Sequence, residues 1–213
     1  MYDRKLNDRV LTFRVSGKLW NRSLVMMDSE TESLWSHILG EAMAGELKGT
    51  QLTAIPSDIV TWRAWKSAHP ESTVLAMNRT RVGYTREFYR QSGAEFVVGF
   101  AGNSGMHHAS FATLKRHPLL NVDAQGVPLV ISFELQSTSV RLYSRKLAER
   151  VLSFAAEGQH LRDSETGSLW DRTSGKAIDG PLKGKRLSAH VGIVSYAKAW
   201  LTFHPDSRAV PGP

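Results

Sequence analysis

A long internal repeat constrains the fold of this chain more than any other feature of its sequence. The segment Asp28–Leu52 aligns without gaps with Asp163–Leu187 at an offset of 135 residues, and 14 of the 25 positions are identical. Self-similarity of this kind is the mark of a repeated structural unit. We therefore expect the chain to build the same substructure twice.

Two further matches extend the repeat in both directions. Upstream, Tyr2–Phe13 matches Tyr143–Phe154 at an offset of 141, with 8 of 12 positions identical. Downstream, the Trp-x-x-x-His-Pro pattern that ends at Pro70 returns at Pro205, again at an offset of 135. Because the two offsets differ by six, the first copy contains six additional residues. We place them in a longer loop or hairpin around Trp20–Val25.

The repeat divides the chain into two predicted units. Residues 1–90 are predicted to form the first unit and residues 91–213 the second, packed together as one globular body. The region Glu95–Leu142, ahead of the second copy, has no counterpart ahead of the first copy. We therefore expect the first unit to be incomplete on its N-terminal side, by about 45 residues.

Composition excludes several classes of protein. The chain has 213 residues, of which 41% are hydrophobic and 22% are charged. These values are ordinary for a globular protein with a sizeable core. No cysteine is present, which excludes disulfides and cysteine-based metal centres within this chain. No stretch approaches the roughly 20 apolar residues that span a bilayer, so we predict no membrane span.

The basic charge balance raises the question of a nucleic-acid partner. The formal net charge is +7, but the basic residues form only small clusters with acidic residues between them. The sequence shows no basic helical stripe and no alternation of basic and aromatic residues that would stack bases. This pattern favours a solvated basic surface, and we do not expect nucleic acid as a partner.

Hydrophobic patterning predicts a β-rich α+β fold of short antiparallel strands, with each duplicated unit closed by a short helix. Apolar and polar residues alternate over residues 11–15 and 129–135, as in half-buried strands. Ser57 and Asp58 are typical helix caps and predict a helix that runs through Ala68, before His69-Pro70. Ser195 is predicted to start the equivalent helix of the second unit, and a third short helix is predicted over Ser110–Arg116.

The first unit is expected to have an open strand edge. The strands ahead of the second copy are expected to pair with the strands that open it, namely Glu95–Phe100 and Pro128–Leu135 with Val140–Tyr143 and Arg150–Phe154. The first unit lacks such partners in this chain. Its leading strand, Val10–Val15, is therefore expected to expose Leu11, Phe13 and Val15. An open edge can pair with strands of other chains, so we predict either self-association near Val10–Val15 or marginal solubility.

Four polar residues at equivalent places in both copies are the candidates for a functional site: His69, His204, Asp28 and Asp163. A catalytic or ligating histidine needs a second polar group nearby. A histidine that follows a helix is also stabilised by the helix dipole, and its presence in both copies favours this structural role. Each aspartate is followed two residues later by a glutamate. Such carboxylate pairs can bind a cation or carry acid–base chemistry, but in a Ser-Glu-Thr turn they cap backbone N–H groups, the role we favour.

The tryptophans at matched positions are predicted to anchor the core rather than to line a ligand groove. They are Trp35, Trp65, Trp170 and Trp200. Without cysteine and without a suitably spaced pair of histidines, the sequence predicts no metal and no cofactor.

The sequence resembles a bacterial family that is catalogued as domain of unknown function 3179. The resemblance is carried by Tyr2-Asp3-Arg4, Val10–Gly17, Leu24–Trp35, Gly40–Leu52 and Thr61–Pro70, and by the matching runs of the second copy. Members usually carry a Cys-Pro-Leu-Cys element just ahead of the segment that begins here with Tyr2, so the chain resembles an N-terminally truncated member. The resemblance implies an exported bacterial protein, whereas the residues themselves leave the compartment unknown.

Two functional hypotheses of different classes follow. In the first, the chain is a non-catalytic binding or structural module built from a duplicated β-rich unit. In the second, it is part of an enzyme or of a metal or redox protein whose cysteine-containing element lies upstream. Thiolates of such a cysteine pair would suit metal or redox chemistry. An in-frame Cys-Pro-Leu-Cys element and a signal sequence upstream of Met1 would discriminate between the two hypotheses. The most informative structural observation would be one cleft that is shared by the two units and lined by polar side chains from both.

Overall fold

Strands dominate the architecture. The computed structural model describes residues 1–60, 62–74 and 95–212. This part of the chain contains nineteen strands and three short helices, and all but one of the strand pairs are antiparallel. The predicted β-rich α+β class is confirmed. None of the three helices has the length and apolar character that crossing a bilayer requires.

The first copy consists of a small hairpin, a sheet and a helix. Its elements are β1 (Lys5–Leu6), β2 (Arg9–Val10), β3 (Phe13–Trp20), β4 (Ser23–Asp28), β5 (Leu34–Ser36), β6 (Ala42–Ala44) and α1 (Trp62–Ala68). Strands β1 and β2 pair with each other, and β3 to β6 form a four-stranded antiparallel sheet in chain order. Such a meander needs only local connections, which the short turns between the strands provide.

A central segment follows between the copies. Its elements are β7 (Phe96–Gly102), β8 (Gly105–Ser110), α2 (Phe111–Arg116), β9 (Leu119–Asp123), β10 (Pro128–Glu134) and β11 (Ser139–Ser144). Strands β9, β10 and β11 form a three-stranded antiparallel sheet with β10 in the middle. Helix α2 begins where the sequence predicts, because the Ser110 side chain accepts a hydrogen bond from the Thr113 backbone N–H.

The second copy repeats the order of elements in the first and has two further strands, one before and one after its helix. They are β12 (Lys146–Leu147), β13 (Arg150–Val151), β14 (Phe154–Glu157), β15 (His160–Asp163), β16 (Leu169–Asp171), β17 (Ala177–Asp179), β18 (Ile193–Tyr196), α3 (Ala197–Phe203) and β19 (Arg208–Ala209). Strands β14 to β17 form a four-stranded sheet in chain order, as β3 to β6 do. A further sheet, in the order β18-β7-β8-β19, joins this copy to the central segment.

One glycine in each copy shows how closely the local packing corresponds. Gly40 and Gly175 have φ of 68° and 65°, in the left-handed region that glycine adopts without strain. A Cβ atom at Gly40 would lie 2.4 Å from the ring of Tyr2, and one at Gly175 would lie 2.8 Å from the ring of Tyr143. In each copy, therefore, a tyrosine ring packs directly against the backbone of a glycine.

The core is divided into several clusters. The first copy buries Leu11, Trp35, Ala42 and Leu52, and the second copy buries the equivalent Leu152, Trp170, Ala177 and Leu187 with further residues. A large central cluster fills the space between β7, β8, α2 and the β9–β11 sheet. A fourth cluster contains Trp200 of α3, Val97 of β7 and Ile38 of the first copy, so it joins the two copies.

The six additional residues of the first copy lengthen the β3–β4 hairpin. Its turn, Asn21-Arg22, has positive φ at both positions, as a two-residue hairpin turn requires. At the tip, the Trp20 ring meets the Phe203 ring of α3 edge to face, with centroids 4.7 Å apart. The longer hairpin thus reaches from the first copy to the helix of the second.

The predicted pairing of the strands ahead of the second copy is correct for one strand and wrong for the other. Strand β10 pairs with β11 as predicted, but β7 pairs with β8 and β18 instead of with the strands that open the second copy. The β14 strand is therefore also a sheet edge. The Asn121 side-chain amide covers it at one point, since it donates to the Phe154 carbonyl and accepts from the Phe154 N–H at 2.8 and 2.9 Å.

The open edge of the first copy is smaller than predicted. Leu11 is fully buried and Phe13 is half-buried, whereas Val15 is 70% exposed. Beyond Val15 the pairing with β4 shifts register, and Gly17 adopts a φ of 76°. Bulges of this kind twist an edge away from pairing. Of the three residues predicted to be exposed at this edge, only Val15 has a mostly exposed side chain, so pairing with another chain is restricted to the part of β3 around Val15.

The predicted start of the first helix is wrong. Residues 55–60 are neither helix nor strand, and α1 begins at Trp62. In the second copy, the predicted cap Ser195 lies in β18, where it pairs with Val97 of β7. A tertiary strand contact therefore takes precedence over the local capping signal at this position.

Candidate functional site

The candidate aspartates are buried inside their own copies. Asp28 and Asp163 have no exposed surface. One carboxylate oxygen, Oδ2, accepts a hydrogen bond from the indole Nε1 of Trp35 or Trp170, at 2.8 Å in both copies. The other oxygen, Oδ1, accepts from the backbone N–H of Thr31 or Thr166, at 2.6 Å. These carboxylates hold a buried indole and a turn together.

Hydrogen bonding keeps the Asp28 carboxylate charged despite its burial. Burial by itself raises the pKa of Asp28, but the hydrogen bonds from Trp35 and Thr31 outweigh it and leave the pKa below its ordinary value. The nearby glutamates have a similar local role. Glu30 accepts from the Thr12 N–H, and Glu165 accepts from the Ser153 N–H, both at 2.8 Å.

The candidate histidines follow the last residue of α1 and α3. The backbone N–H of His69 donates to the Trp65 carbonyl, and that of His204 donates to the Trp200 carbonyl, both at 2.8 Å. Each histidine ring also packs on the tryptophan ring of the same helix, with centroids 4.1 and 4.2 Å apart. Burial lowers the pKa of His204 below its ordinary value.

The surroundings of the two histidines differ because the two tryptophans are covered differently. Trp200 is fully buried, and it packs so closely on β7 that a Cβ atom at Gly99 would lie 2.2 Å from its indole. Trp65 is half-buried and borders a cleft together with His69. Of the four predicted core tryptophans, Trp35, Trp170 and Trp200 are fully buried and Trp65 is not.

This cleft lies between the two copies, and we call it the inter-copy cleft. Its cavity volume is about 700 Å³. Apolar residues from both copies form much of its wall. Six ionisable side chains line it in addition to two tyrosines: His37, Asp58 and His69 from the first copy, and Arg141, Arg186 and His190 from the second copy and the strand that leads into it.

An ion pair crosses the inter-copy cleft. The Nε of Arg141, on β11, donates to Oδ2 of Asp58 at 2.9 Å. The Arg141 side chain is only 6% exposed, and that of Asp58 is 27% exposed. A guanidinium with so little water around it needs a counter-charge, and the Asp58 carboxylate supplies it.

A second arginine lies close to this ion pair. Ser132 is the cross-strand partner of Arg141, and the Ser132 hydroxyl accepts from Nε of Arg172 at 2.8 Å. Burial lowers the pKa of Arg172; Arg141 lowers it further, whereas Glu134 raises it. The Nη2 of Arg172 is buried and has no hydrogen-bond partner among the described residues. Positive charge is therefore concentrated behind the cleft wall.

The tyrosines of the cleft are fixed by hydrogen bonds at equivalent positions. The Tyr2 hydroxyl donates to the Ile38 carbonyl at 2.9 Å, and the Tyr143 hydroxyl donates to the Thr173 carbonyl at 2.7 Å. Burial raises the pKa of Tyr2 to about 12 and raises that of Tyr143 as well. Both tyrosine hydroxyls therefore stay protonated, and each already donates its hydrogen bond to a backbone carbonyl of the protein.

The structure brings together residues that the sequence did not single out. Of the four candidates, only His69 lines the inter-copy cleft. The prediction missed Asp58, Arg141 and Arg172. One feature of the sequence could have indicated Arg141. It lies between Val140 and Leu142 in a strand of buried residues, where an unpaired charge is costly, so a partner such as Asp58 is required. No group of three or more His, Asp or Glu side chains within residues 1–60, 62–74 and 95–212 is placed to hold a metal ion.

Comparison with known proteins gives a family and no further relative. No curated protein and no solved structure matches the chain. A family model described as "Protein of unknown function (DUF3179)" matches residues 1–93 and residues 89–207. Together these matches span nearly the whole length of the chain, in agreement with the resemblance seen in its motifs. The chain belongs to the DUF3179 family.

Proposed function

We propose that the chain is a non-catalytic binding module, and that the inter-copy cleft binds a small anion with carboxylate or phosphate groups. One observation carries the proposal. Arg141 presents a guanidinium at the cleft, and of its side-chain nitrogens only Nε is hydrogen-bonded within the described part of the chain, to Asp58. The remaining N–H groups of a guanidinium are suited to the paired oxygens of carboxylate and phosphate.

The charge balance of the cleft supports an anionic ligand. Two arginines, Arg141 and Arg186, line the cleft with a single carboxylate, that of Asp58. Arg172 adds a further positive charge close behind Arg141. In a partly desolvated cleft, such an excess of positive charge attracts anions more strongly than on an open surface.

The size and rigidity of the cleft also suit a small molecule. A volume of about 700 Å³ falls within the range of roughly 300–1,000 Å³ that is typical of small-molecule sites. Arg141 is held by Asp58, so little side-chain freedom is lost when a ligand binds. Apolar wall residues such as Leu24 and Val194 would contact the carbon skeleton of an organic anion.

Titration calorimetry with citrate and with inorganic phosphate, at constant ionic strength, tests this proposal. We expect saturable binding to the protein and a loss of affinity of at least about tenfold in Arg141→Gln, equivalent to about 1.4 kcal/mol. Arg150→Gln is the matched control, because Arg150 is an exposed arginine of β13. It should leave the affinity unchanged.

A second variant separates binding from folding. Asp58→Asn removes the negative charge beside Arg141, but the asparagine amide oxygen can still accept the hydrogen bond from Arg141 Nε. A folded Asp58→Asn protein should therefore keep saturable citrate binding. Absence of saturable binding for both probes would contradict the proposal. So would an equal loss of affinity in Arg141→Gln and Arg150→Gln.

A further inference from the structure

The helix of the second copy packs against a completed sheet. In the order β18-β7-β8-β19, the two inner strands form a hairpin from the central segment, and the two outer strands flank α3 in the sequence. Trp200 of α3 packs on Gly99 of β7. Val194 of β18 packs against the central core cluster.

The first copy contains counterparts of the two outer strands. At an offset of 135, Asp58–Val60 corresponds to Ile193–Ser195 of β18, and Thr73-Val74 corresponds to β19. Neither counterpart pairs with a strand among the described residues. Apolar side chains of both segments are exposed to solvent: Ile59 is 46% exposed and Val74 is 64% exposed.

We propose that Asp58–Val60, α1 and Thr73-Val74 form a docking site for a β-hairpin presented by another polypeptide. The hairpin would pair with the two counterpart segments and complete a four-stranded sheet, as β7 and β8 do in the second copy. Backbone hydrogen bonds would supply affinity, and the side chains on alternating faces would supply specificity.

The second copy also defines the chemistry of this partner. The strand next to Asp58–Val60 needs a glycine over Trp65, because the equivalent Gly99 leaves no room for a Cβ atom beside Trp200. On its other face it needs large apolar residues, as Val98 and Phe100 are in β7. An apolar hairpin with a central glycine meets both requirements.

A synthetic peptide of residues 95–110, which is the β7–β8 sequence with Glu95, serves as the probe. We expect saturable binding of the fluorescently labelled peptide to the native protein, with slower amide hydrogen exchange at residues 57–60 and 73–74. A peptide with Gly99→Leu should bind at least about tenfold more weakly, because its side chain would overlap the Trp65 ring.

Variants of the protein locate the site. Ile59→Lys should weaken peptide binding at least about tenfold, since it places a charge in the apolar contact. Val151→Lys is the matched control, because Val151 is equally exposed, at 46%, on β13. Both positions are exposed, so both variants should fold.

Several outcomes would overturn the inference. Equal binding to native and Ile59→Lys protein would do so, and so would failure of the peptide to bind. Slow exchange at residues 57–60 before the peptide is added would show that the position is already filled. The docking site shares Asp58, Ile59 and Trp65 with the inter-copy cleft. The inference does not rest on the anion site, because failure of citrate or phosphate to bind would leave the predicted peptide binding unchanged.

Discussion

Trp65 and Trp200 occupy the same place in the repeat and have different surroundings. Both indoles donate from Nε1 to a serine seven residues later, Ser72 or Ser207, at 3.0 and 2.8 Å. Both helices end with the same backbone hydrogen bond to a histidine. Yet Trp200 is fully buried under β7, whereas Trp65 borders the inter-copy cleft.

The comparison separates the features that depend on the local sequence, such as hydrogen bonds within a segment, from the features that depend on tertiary packing, such as the burial of a helix. The hydrogen bonds of the aspartate to the tryptophan and of the tryptophan to the serine, each spanning seven residues, are reproduced in both copies. Burial of the helix depends on β7 and β8, which the second copy has beside it and the first copy does not have within the described residues. Trp65, which no described strand covers in this way, lines the inter-copy cleft instead.

The largest expected effect is on the two tryptophans. Trp200→Ala should lower the free energy of unfolding by about 3–5 kcal/mol, because it leaves a large cavity in a packed core. Trp65→Ala should lower it by only about 1–2 kcal/mol, because the half-buried ring has less apolar surface to expose. Urea unfolding of both variants measures the difference. Equal losses would show that the two helices are covered alike.

The aspartates should behave alike, in contrast to the tryptophans. Asp28→Asn and Asp163→Asn should each lower the free energy of unfolding by about 2 kcal/mol. The amide nitrogen of asparagine cannot accept the hydrogen bonds that one carboxylate oxygen accepts. Urea unfolding again gives the values. A loss confined to one variant would mean that the matching hydrogen bonds of the two copies differ in strength.

The dependence of stability on pH should involve His204. Since burial lowers the pKa of His204 in the folded protein, the unfolded chain binds the proton first as the pH falls. The stabilisation is complete above the ordinary histidine pKa of about 6.5 and is lost as the pH falls below it. Urea unfolding at several pH values between neutrality and pH 5 should therefore show a shallower decline in His204→Gln than in the native protein. An unchanged decline would contradict this role.

The smallest effect on stability is expected at the open edge of the first copy. We predict self-association through β3 near Val15, because no side chain of the described residues caps Phe13 as Asn121 caps Phe154. Val15→Lys should reduce the associated fraction in light scattering and change the stability by less than about 0.5 kcal/mol. A native protein that stays monomeric as its concentration rises would contradict the prediction.

Sequence patterns predicted the local structure well, and the site only in part. The repeat and the alternating residues predicted the β-rich fold, because each four-stranded meander depends on contacts that are close in sequence. The predicted helix starts were wrong in both copies: α1 begins at Trp62, and Ser195 lies in β18 because it pairs with Val97 of β7. Asp58 and Arg141 were missed because they are 83 residues apart and belong to no motif. Only the packing of one copy against the other brings them together.

Native-state hydrogen exchange at the ends of α1 and α3 tests the central claim most directly. That claim is that tertiary packing, and not the local sequence, makes the two helices differ in burial. The His69 and His204 amides make the same hydrogen bond at the same distance of 2.8 Å. Because exchange reports the free energy of local opening, the account predicts that the His204 amide exchanges more than about tenfold more slowly than the His69 amide. Equal rates, measured residue by residue by NMR, would contradict it.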